Sequence, residues 1–585
     1  MSVSPDALAQ SGWVRRADAA LGAWLARAFP AAAPAVALAA TLAARAVGDG
    51  HSALDLTEAG SWFARLDSRG KPPALPEPAA WREALARSPA VHVHRDGTPL
   101  APVPLVLDAR QRVYLRRYFE YECRVARQLA ALTAGAMADP GGQARAPGRG
   151  GLDAEQQRAV TTALARRLTL ITGGPGSGKT FSVAHILAAL AGRGHTRIAL
   201  AAPTGKAATR LAESLRAQLA RMALPDAMAD MLPRDASTLH RLLGISPWRS
   251  RPRHHRDAPL PFDVVVVDEA SMVDLPLMAR LTDALAPDAR LILLGDPDQL
   301  SAVEAGNVLP ALVEAASGMP FAGCHVALAG SHRFVAGSAL GRLARAVVDR
   351  DTDAALAALQ AEDEDLRLVA GTDRAMLVED AHAGYRAVTA AANATAALEA
   401  ARGFRVLTAL RHGPAGCAVL NRAIEARIKR AHGIYVDAEW WRGRLVMVTA
   451  NRDEVGLYNG DTGVVWPDAD GALKVWFDGA ASPRAFAPAA LPPHEGAFAL
   501  TVHKAQGSEF ARVTLVTGPD SPVLTRELLY TGITRARSGI TVYSTADTLR
   551  TGIGRRTLRM TGLADRLREA AAASVSIAES LPNGE

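Results

Sequence analysis

The sequence predicts an α/β protein: two open domains built on parallel sheets, a helical block ahead of them and a small β-barrel inserted in the second. Three observations carry that prediction. Apolar runs recur at 168–171, 198–202, 262–267 and 291–294, and the first leads through a glycine-rich loop into a helical pattern at 181–190. A second series of apolar runs begins at 405–410 and resumes at 498–502. Between these two, at 432–495, short β-like runs alternate with turns such as Asn459-Gly460-Asp461.

A chain of 585 residues exceeds one core, so about three or four domains are expected. Hydrophobic residues at 49% and charged residues at 21% describe a soluble globular protein. The net charge of +7 and a pI near 9.5 fit a polyanionic partner. Cys123, Cys324 and Cys417 lie far apart, with neither metal-ligand nor disulfide spacing, which suits a reducing cytosol. The Ala-rich run 28–44 is too short and too weakly apolar to cross a membrane, and no signal peptide is legible. A cytoplasmic protein is expected, with no membrane partner.

In chain order, residues 1–137 read as a first domain. Its helices are broken at Pro30 and Pro34, short strands follow at 105–107 and 113–115, and a helix spans 118–134. His51 reads as a packing or surface histidine. The Gly/Pro-rich stretch 138–151 is a linker. Residues 152–345 form the first parallel-sheet domain. Residues 346–431 and 496–560 form the second, interrupted by the barrel at 432–495, and 561–585 is a C-terminal tail that frays from Ala570 to Glu585.

The glycine-rich loop reads Gly173-Gly174-Pro175-Gly176-Ser177-Gly178-Lys179-Thr180. Strand, loop and helix in that order make a P-loop. Its backbone N–H groups and the following helix N-terminus hold phosphates. Lys179 reaches the β- and γ-phosphates, and Thr180 holds Mg²⁺. Ahead of it, Gln156 can donate to and accept from an adenine edge, although an exposed helical Gln is the ordinary fate of such a residue. The strand 262–267 ends in Asp268-Glu269, the Walker B arrangement: Asp268 holds Mg²⁺ through water, and Glu269 polarises the attacking water. Gln299, after the strand 291–294, can sense the γ-phosphate. Arg333 is a candidate arginine finger, and Arg535 and Arg537 can reach a γ-phosphate across a domain cleft.

Thr204-Gly205-Lys206 follows the strand 198–202. It either contacts a phosphate of a second ligand or simply caps a helix, and Thr238 with His240 carries the same ambiguity. The loop 249–256 is basic. The acidic stretch 349–365 reads as a solvated helix face rather than a nuclease metal site. Trp440 and Trp441 can stack on bases, but core packing is the commoner fate of such a pair.

Gly-Gly-Pro-Gly-Ser-Gly-Lys-Thr, Asp-Glu-Ala-Ser-Met, Gly-Asp-Pro-Asp-Gln-Leu, Ser-His-Arg-Phe, Thr-Val-His-Lys-Ala-Gln-Gly-Ser-Glu-Phe and Tyr-Thr-Gly-Ile-Thr-Arg-Ala-Arg occur in this order. They resemble the motifs of superfamily 1 helicases, in the 5′→3′ branch. Gly50-His51-Ser52-Ala53-Leu54-Asp55-Leu56, Pro104-Leu105-Val106-Leu107, Tyr114 to Glu122 and Trp441-Arg442-Gly443-Arg444 extend the resemblance to the RecD family, the alpha subunit of exodeoxyribonuclease V (RecBCD).

That resemblance implies a single-stranded-DNA-dependent ATPase moving 5′→3′ at broken duplex ends, in a heterotrimer with RecB- and RecC-like subunits that hold the nuclease. It places ATP and Mg²⁺ between two RecA-like domains. Lys179, Thr180, Asp268 and Glu269 come from the first and Arg535 from the second, while Gln299 and Arg333 complete the γ-phosphate contacts. Gly507 and Glu509 join the nucleotide site. DNA is expected across Thr204, Lys206, Thr238, His240, His503 and Lys504. The alternatives are a standalone 5′→3′ helicase, a DNA-binding scaffold with an inactive ATPase, and a P-loop kinase. The match at 114–122 opposes the first. The intact Lys179, Asp268, Glu269 and Arg535 oppose the second, and Gln299 with the motifs after residue 500 opposes the third.

Overall fold

The computed structural model describes residues 4–580 except 31–33, 66–71, 134–150, 223, 247, 319–320, 330–337, 362, 372, 453, 480–481, 519–520 and 522. The candidate finger Arg333, its Ser-His-Arg-Phe motif and nearly all of the linker 138–151 lie outside the described residues.

The six-stranded sheet that carries the P-loop is wholly parallel. Its order is His325–Ala327, Leu168–Thr172, Arg290–Gly295, Val264–Val267, Ile198–Ala202, Ser237–Thr238. Its central strand Val264–Val267 is apolar and buried at every position because both faces are covered. Val264 and Val266 pack under the P-loop helix Lys179–Ala191, whereas Val265 and Val267 pack under helices Leu275–Asp283 and Val308–Ala315. The register pairs Thr172 with Gly295 and Val267 with Leu293. The P-loop, Asp268 and Asp296 therefore leave the same edge of the sheet, where ligands of open parallel sheets gather.

A second parallel sheet has five strands, in the order Leu366–Ala370, Ala536–Ser544, Phe510–Val516, Phe404–Thr408, Ala499–Thr501. The acidic stretch expected as one helix is the helix Thr352–Gln360 followed by the first of these strands, and Asp351, Asp353, Glu364 and Asp365 are exposed.

Between helix Cys417–Ala431 and strand Ala499–Thr501 the chain makes a five-stranded antiparallel sheet. Its order is Arg484–Phe486, Leu473–Phe477, Thr462–Pro467, Leu445–Val448, His494–Gly496. A small barrel was expected here. Among the described residues the two outer strands do not pair with each other, so the hydrogen-bonded ladder is open. Trp441 is 3% exposed and stacks on Phe498 with centroids 5.9 Å apart, so it takes the core role rather than the base-stacking one.

The N-terminal part holds helices Arg16–Ala28 and Pro34–Gly48, divided near Pro30 and Pro34 as expected, against a four-stranded sheet. That sheet adds the strands Leu54–Asp55 and Val91–Val93, which are too short to read from periodicity. Helix Arg116–Thr133 leaves this sheet and packs Val125, Ala126 and Leu129 into the core of the P-loop sheet.

The expected tail instead begins with helix Leu563–Ser580, whose Leu563, Leu567 and Ala571 enter that same core. Small alanines make this helix look frayed in sequence, but they let it lie close against its neighbour. The segment before it is also anchored. Met560 O accepts from Ser52 and Ala53 N–H (3.0 and 3.2 Å), and Met560 N–H donates to His51 Nδ1 (2.9 Å). His51 is thus a buried acceptor, and burial, with help from Arg559, lowers its pKa to about 3. No helix among the described residues is long and apolar enough to cross a membrane.

Candidate nucleotide and nucleic-acid site

A cavity of about 570 Å³ opens at the P-loop edge, lined by Gln156, Lys179, Asp268, Glu269, Gln299 and Arg535 among others. The loop curls through Gly176 (φ 77°) and Gly178 (φ 86°), conformations that side chains with a Cβ disfavour. Gly178 caps the helix that starts at Lys179. Lys179 Nζ donates to the carbonyls of Gly173 (2.5 Å) and Gly174 (2.9 Å), so the ammonium lies folded over the loop it serves. Pro175, Ser177 and Thr180 line the same cavity.

Asp268 follows the strand Val264–Val267. Burial, then the adjacent Glu269 carboxylate, push its pKa up to about 6 against the pull of Lys179. Glu269 sits at φ 51°, a left-handed conformation that costs a residue with a Cβ about 1–3 kcal/mol. Its N–H donates to Asp268 Oδ1 at 2.8 Å.

The second sheet closes the cavity. Arg535, 2% exposed, donates from Nη2 to Gln299 Oε1 (3.2 Å), from Nε to Thr531 O (3.1 Å) and from Nη1 to Ser508 O (3.3 Å). Gln299 Nε2 donates to Asp296 Oδ2 (3.0 Å), and Tyr530 Oη donates to that same oxygen (3.0 Å). Burial raises the pKa of Asp296; burial followed by Asp296 raises that of Tyr530. Nearby, Leu300 N–H donates to Thr531 Oγ1 (2.8 Å) and Gln506 Nε2 to Leu300 O (2.9 Å). Gly507 and Glu509 line the cavity. Glu509 is ion-paired with Arg210 from the first sheet's side and with Arg537, 3.1 Å away. Arg537 therefore holds Glu509 instead of reaching the cavity with Arg535.

Gln156 lines the cavity, but its side chain is partly committed. Gln156 Oε1 accepts Asp153 N–H (3.1 Å) while Asp153 Oδ1 accepts Gln156 N–H (2.8 Å), a capping box at the start of helix Ala154–Ala165. The free amide edge expected for adenine is thus half occupied.

Three of the residues expected at DNA, Thr204, Thr238 and Lys504, are hydrogen-bonded to the protein itself. Thr204 and Thr238 cap helices, accepting from Ala207 N–H (3.3 Å) and Arg241 N–H (3.2 Å). His240 is exposed, and His503 and Lys504 lie on one short 3₁₀ turn. Lys504 Nζ donates to Glu495 Oε1 of the insert at 2.6 Å. Lys206 is partly buried. Burial, then Arg405, lowers its pKa to about 8, while Asp461 of the insert draws it upward. Tyr458 of the insert rests on the same turn: a Cβ on Gly205 would lie 3.4 Å from it.

Sequence reading did not find Tyr530, Asp296, Arg210 or Gln506 as parts of the cleft, nor Glu495 and Asp461 as partners of the lysines. Tyr530 and Asp296 stood inside quoted motifs, where only the arginine and glutamine had a legible task. Arg210 lies mid-helix with no local signal.

A phosphate loop on one parallel sheet, closed by a buried arginine from a second, is the construction of an ATP-driven helicase motor. Family models match in the same places: an AAA domain at 156–305, a UvrD-like helicase C-terminal domain at 496–543, and the N-terminal domain of RecBCD enzyme subunit RecD at 10–114. The chain is 41% identical over 548 residues to RecBCD enzyme subunit RecD of Mycolicibacterium smegmatis, covering 92% of this chain and 94% of the relative. The Haemophilus influenzae subunit is 34% identical, covering 71% and 72%. The ATP-dependent RecD2 DNA helicase of Deinococcus radiodurans is 32% identical, covering 83% and 63%. Among solved structures, the Pif1 helicase from Bacteroides in complex with ADP-AlF3 and ssDNA aligns at 18% identity and TM-score 0.38, covering 67% of this chain and 92% of that one. The chain belongs to the RecD family and is an ATP-dependent helicase.

Proposed function

We propose that this chain is the 5′→3′ DNA motor of a RecBCD-type helicase–nuclease, working with RecB- and RecC-like subunits at broken duplex ends in the cytoplasm. The observation that carries the reading is the contact between Arg535 of the second sheet and Gln299 of the first, above the P-loop. ATP in that cavity makes hydrolysis depend on both sheets, so the cleft can couple turnover to their relative motion.

Lys179 exchanges the carbonyls of Gly173 and Gly174 for phosphate oxygens. Glu269 orients the attacking water, and Gln299 and Arg535 stabilise charge at the γ-phosphate. Arg333 is a further candidate for that charge. Gln156, Gly507 and Glu509 complete the nucleotide pocket. The pocket fits Mg²⁺, because Asp268 is a buried carboxylate whose charge is otherwise penalised, on the same cavity wall as Thr180. Thr180 would hold the ion directly and Asp268 through water, and the ion would neutralise charge on the β- and γ-phosphates.

DNA is assigned to the outer ends of both sheets, over Thr204, Lys206, Thr238, His240, His503 and Lys504. Residues 152–345 then form the first motor domain, 346–431 with 496–560 the second, and 432–495 a barrel-like module. Residues 1–137 serve to dock partners, and the RecD-type N-terminal region favours a subunit over a standalone helicase.

The test is unwinding of duplexes bearing only a 5′ or only a 3′ single-stranded tail, by the chain alone and with its partners. Opening of the 5′-tailed substrate, improved by the partners, is expected. A preference for the 3′ tail refutes the polarity.

A further inference from the structure

Tyr530 crosses the cleft to a place where nothing in the hydrolysis scheme yet requires it. It stands on helix Arg526–Ile533 of the second sheet and is 7% exposed. Its hydroxyl donates to Asp296 Oδ2 of the first sheet at 3.0 Å. A Cβ on Gly174 would lie 2.9 Å from that hydroxyl, so the phenol closes against the P-loop at a glycine that leaves it room.

Asp296 Oδ2 also accepts from Gln299 Nε2 at 3.0 Å. A side-chain amide has one donor end and one acceptor end. With its donor end on Asp296, Gln299 has to present Oε1 to Arg535, and it does so at 3.2 Å. The contacts form a circuit. It leaves the second sheet's side at Tyr530, crosses to Asp296 and Gln299, and returns at Arg535. Burial keeps the Tyr530 phenol protonated and therefore a donor.

We propose that Tyr530 is a positioning residue for ATP hydrolysis: by sharing Asp296 with Gln299 it fixes the Gln299 amide, and through it the aim of Arg535 at the γ-phosphate. The proposal rests on the reading of Gln299 and Arg535 given above. Without the hydroxyl, Asp296 loses one of its two side-chain donors, keeping only Gln299 and the Asp298 N–H, and the Gln299 amide is held less firmly. Lys179 keeps its contacts, and the P-loop loses only the hydroxyl beside Gly174. The effect therefore falls on turnover and not on nucleotide affinity.

The experiment is steady-state ATPase of the full chain on a single-stranded oligo-dT, for Tyr530→Phe, Gln299→Ala, the double variant, Arg535→Ala and Asp296→Ala. Near-UV circular dichroism checks folding. Tyr530→Phe is expected to lower kcat about tenfold, with KM for ATP within about twofold of wild type. It is expected to add nothing once Gln299 is already Ala, because both changes cut one circuit. Asp296→Ala, cutting the next link, also lowers kcat; because its carboxylate faces Lys179 as well, KM for ATP can change in that variant.

A normal kcat for Tyr530→Phe or Asp296→Ala overturns the proposal. So does a loss confined to KM, or losses that multiply in the double variant. If Arg535→Ala and Gln299→Ala themselves turn over normally, the reading of the cleft fails and takes the proposal with it. If those two fail while Tyr530→Phe does not, only the Tyr530 link falls.

Discussion

The nucleotide cleft and the surface proposed for DNA are built in opposite ways. In the cleft the working side chains hold one another across the two sheets: Arg535 on Gln299, Tyr530 on Asp296, Arg210 on Glu509. At the surface proposed for DNA they are tied up locally. Thr204 and Thr238 cap their own helices, and Lys504 is paired with Glu495 of the insert. On the proposed reading, the cross-sheet contacts of the cleft are set before its ligand arrives, with only Lys179 left to exchange the Gly173 and Gly174 carbonyls, whereas DNA would have to compete for its contacts. Preorganised polar groups favour catalysis because little reorganisation accompanies the reaction. Contacts that must be exchanged suit a motor that releases its track on every step.

The strongest way to break this contrast is Lys179→Gln. ATPase is expected to fall at least about 1,000-fold, because positioning and charge supply nearly all of phosphoryl-transfer catalysis. DNA affinity, read by fluorescence anisotropy, should stay within about twofold, since the two regions share no charge contact through Lys179. Normal turnover refutes the P-loop reading.

The frame behind the cleft offers a second test. Thr557 N–H and Oγ1 donate to Glu527 Oε2 (2.9 Å each), and the segment continues to Met560, held by His51. The pKa of His51 falls from 6.5 to about 3 on folding, so below pH 6.5 the unfolded chain binds the additional proton. This contribution to stability is complete above pH 6.5 and is lost as pH falls, at about 1.4 kcal/mol per unit. Denaturant titrations from pH 7 to 5 should show that slope for the wild type and lack it for His51→Gln.

At the DNA face, Thr204→Ala is expected to lower stability by about 1 kcal/mol through the lost helix cap. If Thr204 also holds a phosphate, DNA affinity falls too; if affinity is unchanged, the cap is its whole role. The smallest effect is Glu495→Gln. Freeing Lys504 should tighten binding of a dT oligonucleotide about threefold at low salt, with the gain vanishing near 0.5 M salt. Unchanged affinity at low salt means that the insert does not compete with DNA.

Much of the fold was legible because it is local. Val264–Val267 is apolar at every position, which marks a strand covered on both faces, and Gly178-Lys179-Thr180 after a strand has few other uses. The insert's strands showed as short runs between turns, but whether their ladder closes depends on pairing between distant residues. The C-terminal helix was underread because its partner, helix Arg116–Thr133, lies far away in sequence.

By itself the sequence determined the P-loop, the Walker B carboxylates, the two parallel-sheet series and the family, because each is written in contiguous residues whose spacing follows the backbone. Only the tertiary structure decided which side chains are already spoken for. Gln156 turns its oxygen to its own helix, Lys504 to Glu495, Arg537 to Glu509, and Tyr530 crosses the cleft to Asp296. Hydrogen bonds and ion pairs reach only about 3–4 Å, so they join whatever the fold brings together, and spacing along the chain carries no record of that choice.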